Sequence, residues 1–234
     1  MVQRSETDVN SNEAARPSTK LRIQEAALRL FAARGFEGTG IREIADQAGV
    51  QTSALYYYMS SKEDLLVDIM VSILEKLMTV AKEALVGAAT PPTQLVALVR
   101  AHVGLHALDR LSALVGDGEL RALDEVHRVP VINLRDDYEE LWAVVLREGL
   151  ARQMFHFDDA KIARLALLEM CNGVSRWYSE AGTLPVGDVA NAFAELALSL
   201  VGAMDGPKRL CLVHLESPPV GDVLAIIRRM LLSE

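Results

Sequence analysis

Cysteine is nearly missing from this chain: Cys171 and Cys211 are the only two in 234 residues, and they lie far apart without metal-type spacing. A disulfide scaffold and a cysteine-based zinc module are thereby excluded. Aromatic residues make up 5%, and 15 Gly with 8 Pro supply too few turn residues for the many short strands of a sandwich or barrel. Arg, His, Glu or Asp interrupts every apolar run before it reaches the ~18 residues of a membrane span. The first thirty residues are polar, with no apolar stretch resembling a signal sequence. What is present is a chain half apolar and 24% charged, too rich in apolar residues for disorder and long enough for a core without staples. This mixture predicts an all-α, cytoplasmic protein with no membrane contact.

The formal net charge is −8, but electrostatic footprints are local, so its distribution matters more than its sum. Residues 17–62 hold six basic and four acidic side chains, a net of +2, whereas residues 63–234 hold 16 basic and 25 acidic, a net of −9. A mildly basic head sits on an acidic body.

Residues 1–17 contain almost nothing that can be buried and are expected to form a disordered tail. Leu21, Ala26, Ala27, Leu30 and Phe31 then recur at helical spacing, with Ser18 as cap and Arg34-Gly35 as stop. Ile41, Ile44, Ala45 and Ala48 form a short apolar stripe closed by Gly49, and Thr52 to Met59 makes a second short helical segment carrying Leu55 and Met59 on one face. Ser60-Ser61-Lys62-Glu63-Asp64 places a cap and early carboxylates before a long helix from Leu65 to about Val86. Further helices are predicted from Thr93 to about Leu108 and on to about Val126, then over 131–150, with Pro130 as the separator and Gly149 as the stop. Asp158 and Asp159 open a segment to about Tyr178, Val186 to Met204 forms another, and Val223, Leu224, Ile227 and Met230 suggest a last helix. The segments after Asp159 and after Val186 are apolar on more than one stripe, which predicts packing against a second subunit as well as the core.

The densest local signal is residues 34–66, RGFEGTGIREIADQAGVQTSALYYYMSSKEDLL. Arg-Gly-Phe, Ile-Arg-Glu-Ile-Ala-x-x-Ala-Gly-Val, Ala-Leu-Tyr-Tyr and Ser-Lys-Glu-Asp-Leu-Leu, in register over about thirty positions, resemble the DNA-binding head of the tetracycline-repressor (TetR) family. The resemblance implies an N-terminal three-helix helix-turn-helix DNA-binding domain over 18–64. A larger helical-bundle domain for effector binding and dimerisation would follow over 65–204, with an extra C-terminal segment over 205–234. Small Ala45 lets the two helices cross closely, Gly49 makes the turn and Leu55 seals the interface. On this reading Gln51, Thr52 and Ser53 lie near base edges or phosphates, Tyr56 and Tyr57 reach the backbone, Lys62 meets a phosphate and Arg42 touches the opposite strand. The plain alternative is that the tyrosines are half-buried packing and the charges solvate a small domain.

Two positions depart from the family pattern. Gly40 stands where a capping, phosphate-contacting Ser or Thr is usual, unless Thr39 substitutes, and Tyr58-Met59 replaces the usual Phe. The body resembles the ligand domain of the acyl-CoA-responsive, fatty-acid and steroid branch, through Arg135-Asp136-Asp137-Tyr138, Leu141-Trp142, Val145 to Gly149, Phe155, Phe157 and Asp158, and Asn172 with Arg176-Trp177-Tyr178. Such a bundle suits an apolar effector with a polar end, and Arg147, Arg152 and Arg176 either meet its acidic groups, form ordinary ion pairs with Glu148, Glu169, Asp158 or Asp159, or serve as dimer-interface charges.

His102 and His106, at i and i+4, share a helix face. They read as metal ligands lacking a third partner, as a polar pocket wall or as ordinary packed side chains, and no metal or cofactor is expected. Asn172 inside an apolar helix demands partners. Tyr138, Trp142, Asn172 and Arg176 join the two histidines as candidate effector contacts. No nucleophile elbow, phosphate loop or complete dinucleotide fingerprint is present, so no enzyme is expected. The sequence predicts a homodimeric repressor that leaves a palindromic double-stranded DNA operator when a small apolar effector, an acyl-CoA by resemblance, binds. The alternative is a helical lipid- or acyl-binding protein without an operator.

Overall fold

A computed structural model describes residues 18–232, so the expected N-terminal tail lies outside the described residues. Several helices start where a side chain accepts from their orphan N–H groups. Ser18 caps α1 (Thr19–Arg34) by accepting from the Leu21 N–H at 3.2 Å, and Ser61 caps α4 (Lys62–Ala84) through the Asp64 N–H at 3.0 Å. Between them lie α2 (Ile41–Ala48) and α3 (Thr52–Leu55), joined at Gly49, whose φ of +66° is the left-handed value that only glycine adopts cheaply. Ile44, Ala45 and Leu55 are fully buried under α1. These helices and the start of α4 form the head.

The body follows as α5 (Pro91–Leu108), α6 (Arg110–Gly118), α7 (Glu125–Ala151), α8 (Ala160–Asn172), α9 (Val174–Trp177), α10 (Val186–Leu200) and α11 (Val220–Leu232). Nearly every residue of α5 is buried, because α4, α7, α8, α10 and α11 all pack around it. It is the axle of the bundle. Val223, Leu224 and Ile227 carry α11 into the same core, so the last segment packs as part of the body although the sequence suggested an addition after residue 204.

Several predicted boundaries move, among them the end of α10, at Leu200 rather than Met204. The helical turn after Thr52 ends at Leu55 rather than Met59, since the N–H groups of Tyr57 and Tyr58 bond three residues back instead of four. Pro130 does not separate two units but lies inside α7, near its start, where it deprives only the carbonyl of the exposed Val126 of a partner. The segment expected to run from Asp159 to Tyr178 breaks at Gly173 into α8 and α9. A short hairpin, β1 (Met204–Asp205) paired with β2 (Lys208–Arg209), was not anticipated. Among the described residues no helix is long and apolar enough to cross a membrane.

Candidate nucleic-acid interface and effector cavity

On the head, Arg42, Gln51, Ser53, Tyr56 and Tyr57 are exposed and Thr52 is half-buried. Tyr57 is 85% exposed and Tyr56 54%, which sets aside the packing reading for these two rings. Tyr58, 38% exposed and edge-on to Tyr57 at 5.1 Å, extends them into one exposed aromatic patch. Thr39 does not replace the missing hydroxyl at Gly40: it is buried, and its Oγ1 donates to the Gly35 carbonyl at 2.9 Å. Instead the Gly40 N–H donates to Glu43 Oε2 at 2.9 Å, while Arg34 holds the other carboxylate oxygen at 2.8 Å. Those contacts hold the Glu43 carboxyl below its usual range, the backbone bond contributing most.

Lys62 has a job inside the protein. Its Nζ donates to the carbonyls of Phe36 (2.9 Å) and Thr39 (3.1 Å) and sits 4.0 Å above the Phe36 ring. An ammonium has three N–H groups, and two of them are spent on carbonyls while the ring of Phe36 lies against the charge. Lys62→Met is therefore expected to destabilise the head by ~1–2 kcal/mol, read by urea unfolding, with the salt slope of DNA binding changed by less than one phosphate's worth.

In the body, His102, Tyr138, Asn172 and Arg176 line one cavity of about 160 Å³ with Leu74, Leu77, Asp117 and Arg135. His102 stands between Tyr138 Oη (3.0 Å from Nδ1) and Asn172 Oδ1 (2.8 Å from Nε2). An amide oxygen only accepts, so Nε2 carries the proton and donates to it, and the tyrosine hydroxyl donates to the bare Nδ1. The chain of bonds suits a neutral imidazole, and it is burial that selects that form over the imidazolium. Burial, reinforced by His106, pushes the His102 pKa well below 6.5, and burial likewise keeps the Tyr138 hydroxyl protonated. The amide NH₂ of Asn172 has no hydrogen-bond partner among the described residues.

His106 and Trp142 belong behind this wall rather than in it. The His106 ring stacks on His102 at 4.0 Å, its Nδ1 donates to the His102 carbonyl (3.1 Å), and Nε2 lies 3.3 Å from Asp117. Trp142 is completely buried, edge-on to His102. Stacking turns the two imidazoles away from a common ion, and among the described residues no group of three or more His, Cys, Asp or Glu is arranged to hold a metal.

Arg147 pairs with Glu140 at 2.7 Å and Arg152 with Glu148 at 2.5 Å, both in solvent, which leaves Arg176 as the one of the three arginines at the cavity. Asp117 and Arg135 were missed as cavity residues. Asp117 reads as a loop residue between two glycines, and only the packing of α6 turns it inward; Arg135 grips the Gly116 carbonyl beside it. A larger open groove of about 680 Å³ runs between α1 and the α5–α6 junction, but it lacks the enclosed polar chain of the smaller cavity.

Residues 23–69 match the family described as bacterial regulatory proteins, tetR family, and residues 88–201 match the tetracyclin repressor-like, C-terminal domain. A crystal structure of a bacterial regulatory protein in the tetR family from Rhodococcus RHA1 is 31% identical, with a TM-score of 0.75 over 81% of this chain and 100% of that one. The HTH-type transcriptional repressor KstR2 of Rhodococcus jostii (strain RHA1) is 28% identical over 178 residues, 75% of this chain and 87% of the relative. AibR, solved in complex with isovaleryl coenzyme A and operator DNA, shares the fold at 21% identity, with a TM-score of 0.70 over 76% of this chain and 97% of that one. These relatives are regulators and not enzymes. With its helix-turn-helix head matched at one end and its helical body at the other, the chain belongs to the TetR family of transcriptional regulators.

Proposed function

We propose that the protein is a homodimeric repressor that reads a palindromic operator through Gln51, Thr52, Ser53, Tyr56 and Tyr57, and releases it when an acyl thioester enters the cavity at His102. The observation that carries this reading is the Asn172 amide, tethered to His102 by its oxygen while its NH₂ remains free at the cavity lining. A carbonyl oxygen on the effector satisfies that donor, and Arg176 offers a cation to an acidic portion. The cavity is smaller than most ligand sites, which favours a short or branched acyl group, with the carrier outside. The solved relative bound to isovaleryl coenzyme A supports the same class.

Two further features support the switch. Ile162 and Leu165 on α8, with Leu196 and Leu200 on α10, are exposed apolar side chains, suited to a second copy of the chain. Two heads on one duplex face must be about 34–36 Å apart or a multiple of it. Helix α6 touches the cavity through Asp117, and at its other end Asp109 holds Lys76 of α4 at 3.0 Å and accepts from Ser112 at 2.6 Å. An effector that shifts α6 thus tilts α4 and the head with it, lowering DNA affinity by linkage. Such a protein works where the chromosome is, in the cytoplasm.

A duplex selected by the full chain from a random library, titrated with acyl-CoAs of increasing length, tests both halves. Affinity should fall steeply with salt and with short acyl-CoAs. Asn172→Leu should weaken the effector about tenfold while leaving DNA affinity unchanged. Failure to select any duplex removes the operator, and indifference to every acyl-CoA removes the effector class.

A further inference from the structure

The head and body are bridged at a point that neither DNA contact nor effector cavity uses. His127, in the first turn of α7, has carboxylates on both ring nitrogens: Asp124 Oδ1 lies 2.8 Å from Nδ1 and Asp64 Oδ1 lies 3.4 Å from Nε2. Asp64 sits in the first turn of α4, at the foot of the head, and falls within the residues matched by the tetR-family head; His127 falls within those matched by the C-terminal domain. A neutral imidazole owns one N–H and satisfies one carboxylate. Only the imidazolium donates to both.

We propose that His127 is a proton-operated strap between head and body: protonated, it ties α7 to Asp64 of α4, and on losing its proton it keeps Asp124 and lets Asp64 go. Asp124 is the one kept because it is bound twice. It caps α7 by accepting the His127 N–H at 2.9 Å, so that side chain and ring are held together by the helix start itself. Asp64 has its backbone N–H bonded to Ser61 Oγ at 3.0 Å, which fixes its place at the start of α4, while its carboxylate is half in solvent and free to exchange the ring for water. The Asp124 carboxylate is fixed as the α7 cap and the Asp64 backbone by the α4 cap, and the link between the ring and the Asp64 carboxylate is the part free to open.

Glu63 and Glu125 share those first turns, and the basic groups nearby are turned to other partners. Arg128, next along α7, donates to the Leu123 carbonyl at 2.7 Å, and on α4 Asp68 faces Lys20 of α1 at 3.9 Å while Lys62 serves the carbonyls of Phe36 and Thr39. Asp124 and Asp64 are the charges that act on the imidazole, and together they raise its pKa above 6.5, with the Asp124 hydrogen bond the largest contribution. The strap is fully made in mild acid and opens as the pH climbs through that raised value.

The test uses the full chain and needs neither operator nor effector, so its outcome is independent of the function proposed above. In side-chain NMR of the ¹³C-labelled histidines, His127 should titrate above the free-imidazole range, and Asp64→Asn should move it down. A double-mutant cycle of Asp64→Asn and His127→Gln, read by urea unfolding at fixed protein concentration, should give a coupling of about two- to fivefold in the folding constant at pH 5.5 that vanishes at pH 8.5. A His127 titration indifferent to Asp64→Asn, or a coupling equal at the two pH values, overturns the strap.

Discussion

His102→Leu is expected to cost about 2–4 kcal/mol of stability and to abolish an acid-sensitive phase of unfolding. Leucine fills much of the volume but takes neither hydrogen bond, leaving the buried Tyr138 hydroxyl and the Asn172 oxygen without their shared partner. Each orphaned polar group costs about 1–3 kcal/mol, with the Asn172 end at the lower figure because it borders the cavity. The pH dependence follows from the direction in which burial moves this imidazole. The unfolded chain takes a proton at His102 near 6.5 while the native one refuses it until well below. The His102 contribution is therefore complete above about pH 6.5 and is lost as the pH falls from there toward the folded value, at about 1.4 kcal/mol per unit of displacement.

His127 acts in the opposite sense. Its pKa is raised in the folded state, so its contribution is present below about pH 6.5 and disappears as the pH rises through the raised value. Urea titrations of wild type, His102→Leu and His127→Gln between pH 5 and 8.5 separate the two. If the acid-sensitive phase survives in His102→Leu, the neutral buried imidazole is not its source.

Gly149→Ala should destabilise by ~3 kcal/mol or more, against the usual gain of about 1 kcal/mol for alanine over glycine within a helix. A Cβ at this position of α7 would stand 1.9 Å from Phe155 Cδ2 and 2.3 Å from Cε2. The ring has little room to retreat. Phe155 is buried, and its N–H is bonded to the Gly149 carbonyl at 3.1 Å, so the residue is pinned to the glycine it covers. Adding Phe155→Leu should recover part of the loss by thinning the side chain over the new methyl. A Gly149→Ala chain as stable as wild type in urea would show that the loop after α7 yields freely. The stake is more than local, because this loop sets α8, which carries both Asn172 and Leu165.

The head was readable to a depth that the body was not. Ser18, Gly49, Leu55 and Ser61 each work through neighbours a few residues away, so their roles as cap, turn and seal follow from their immediate surroundings. The error at Pro130 arose because a proline argues for a break everywhere except near a helix start, and α7 begins at Glu125, earlier than its apolar stripe. Lys62 was read as a phosphate contact from its place in the family motif at the start of α4, whereas the ammonium folds back on carbonyls 23 and 26 residues earlier. His102, His106 and Asn172 were recognised as polar groups stranded on apolar helices, but nothing in their spacing could say that His102 belongs to the cavity wall and His106 behind it.

Sequence alone determined the helical class, the head, its turn and the caps, since these rest on contacts within a turn or two of the chain. Tertiary structure alone decided which groups share a site: His102 meets Tyr138 across 36 positions and Asn172 across 70. Periodicity says which face of a helix is buried, but the neighbour it meets is chosen by the packing of the whole bundle.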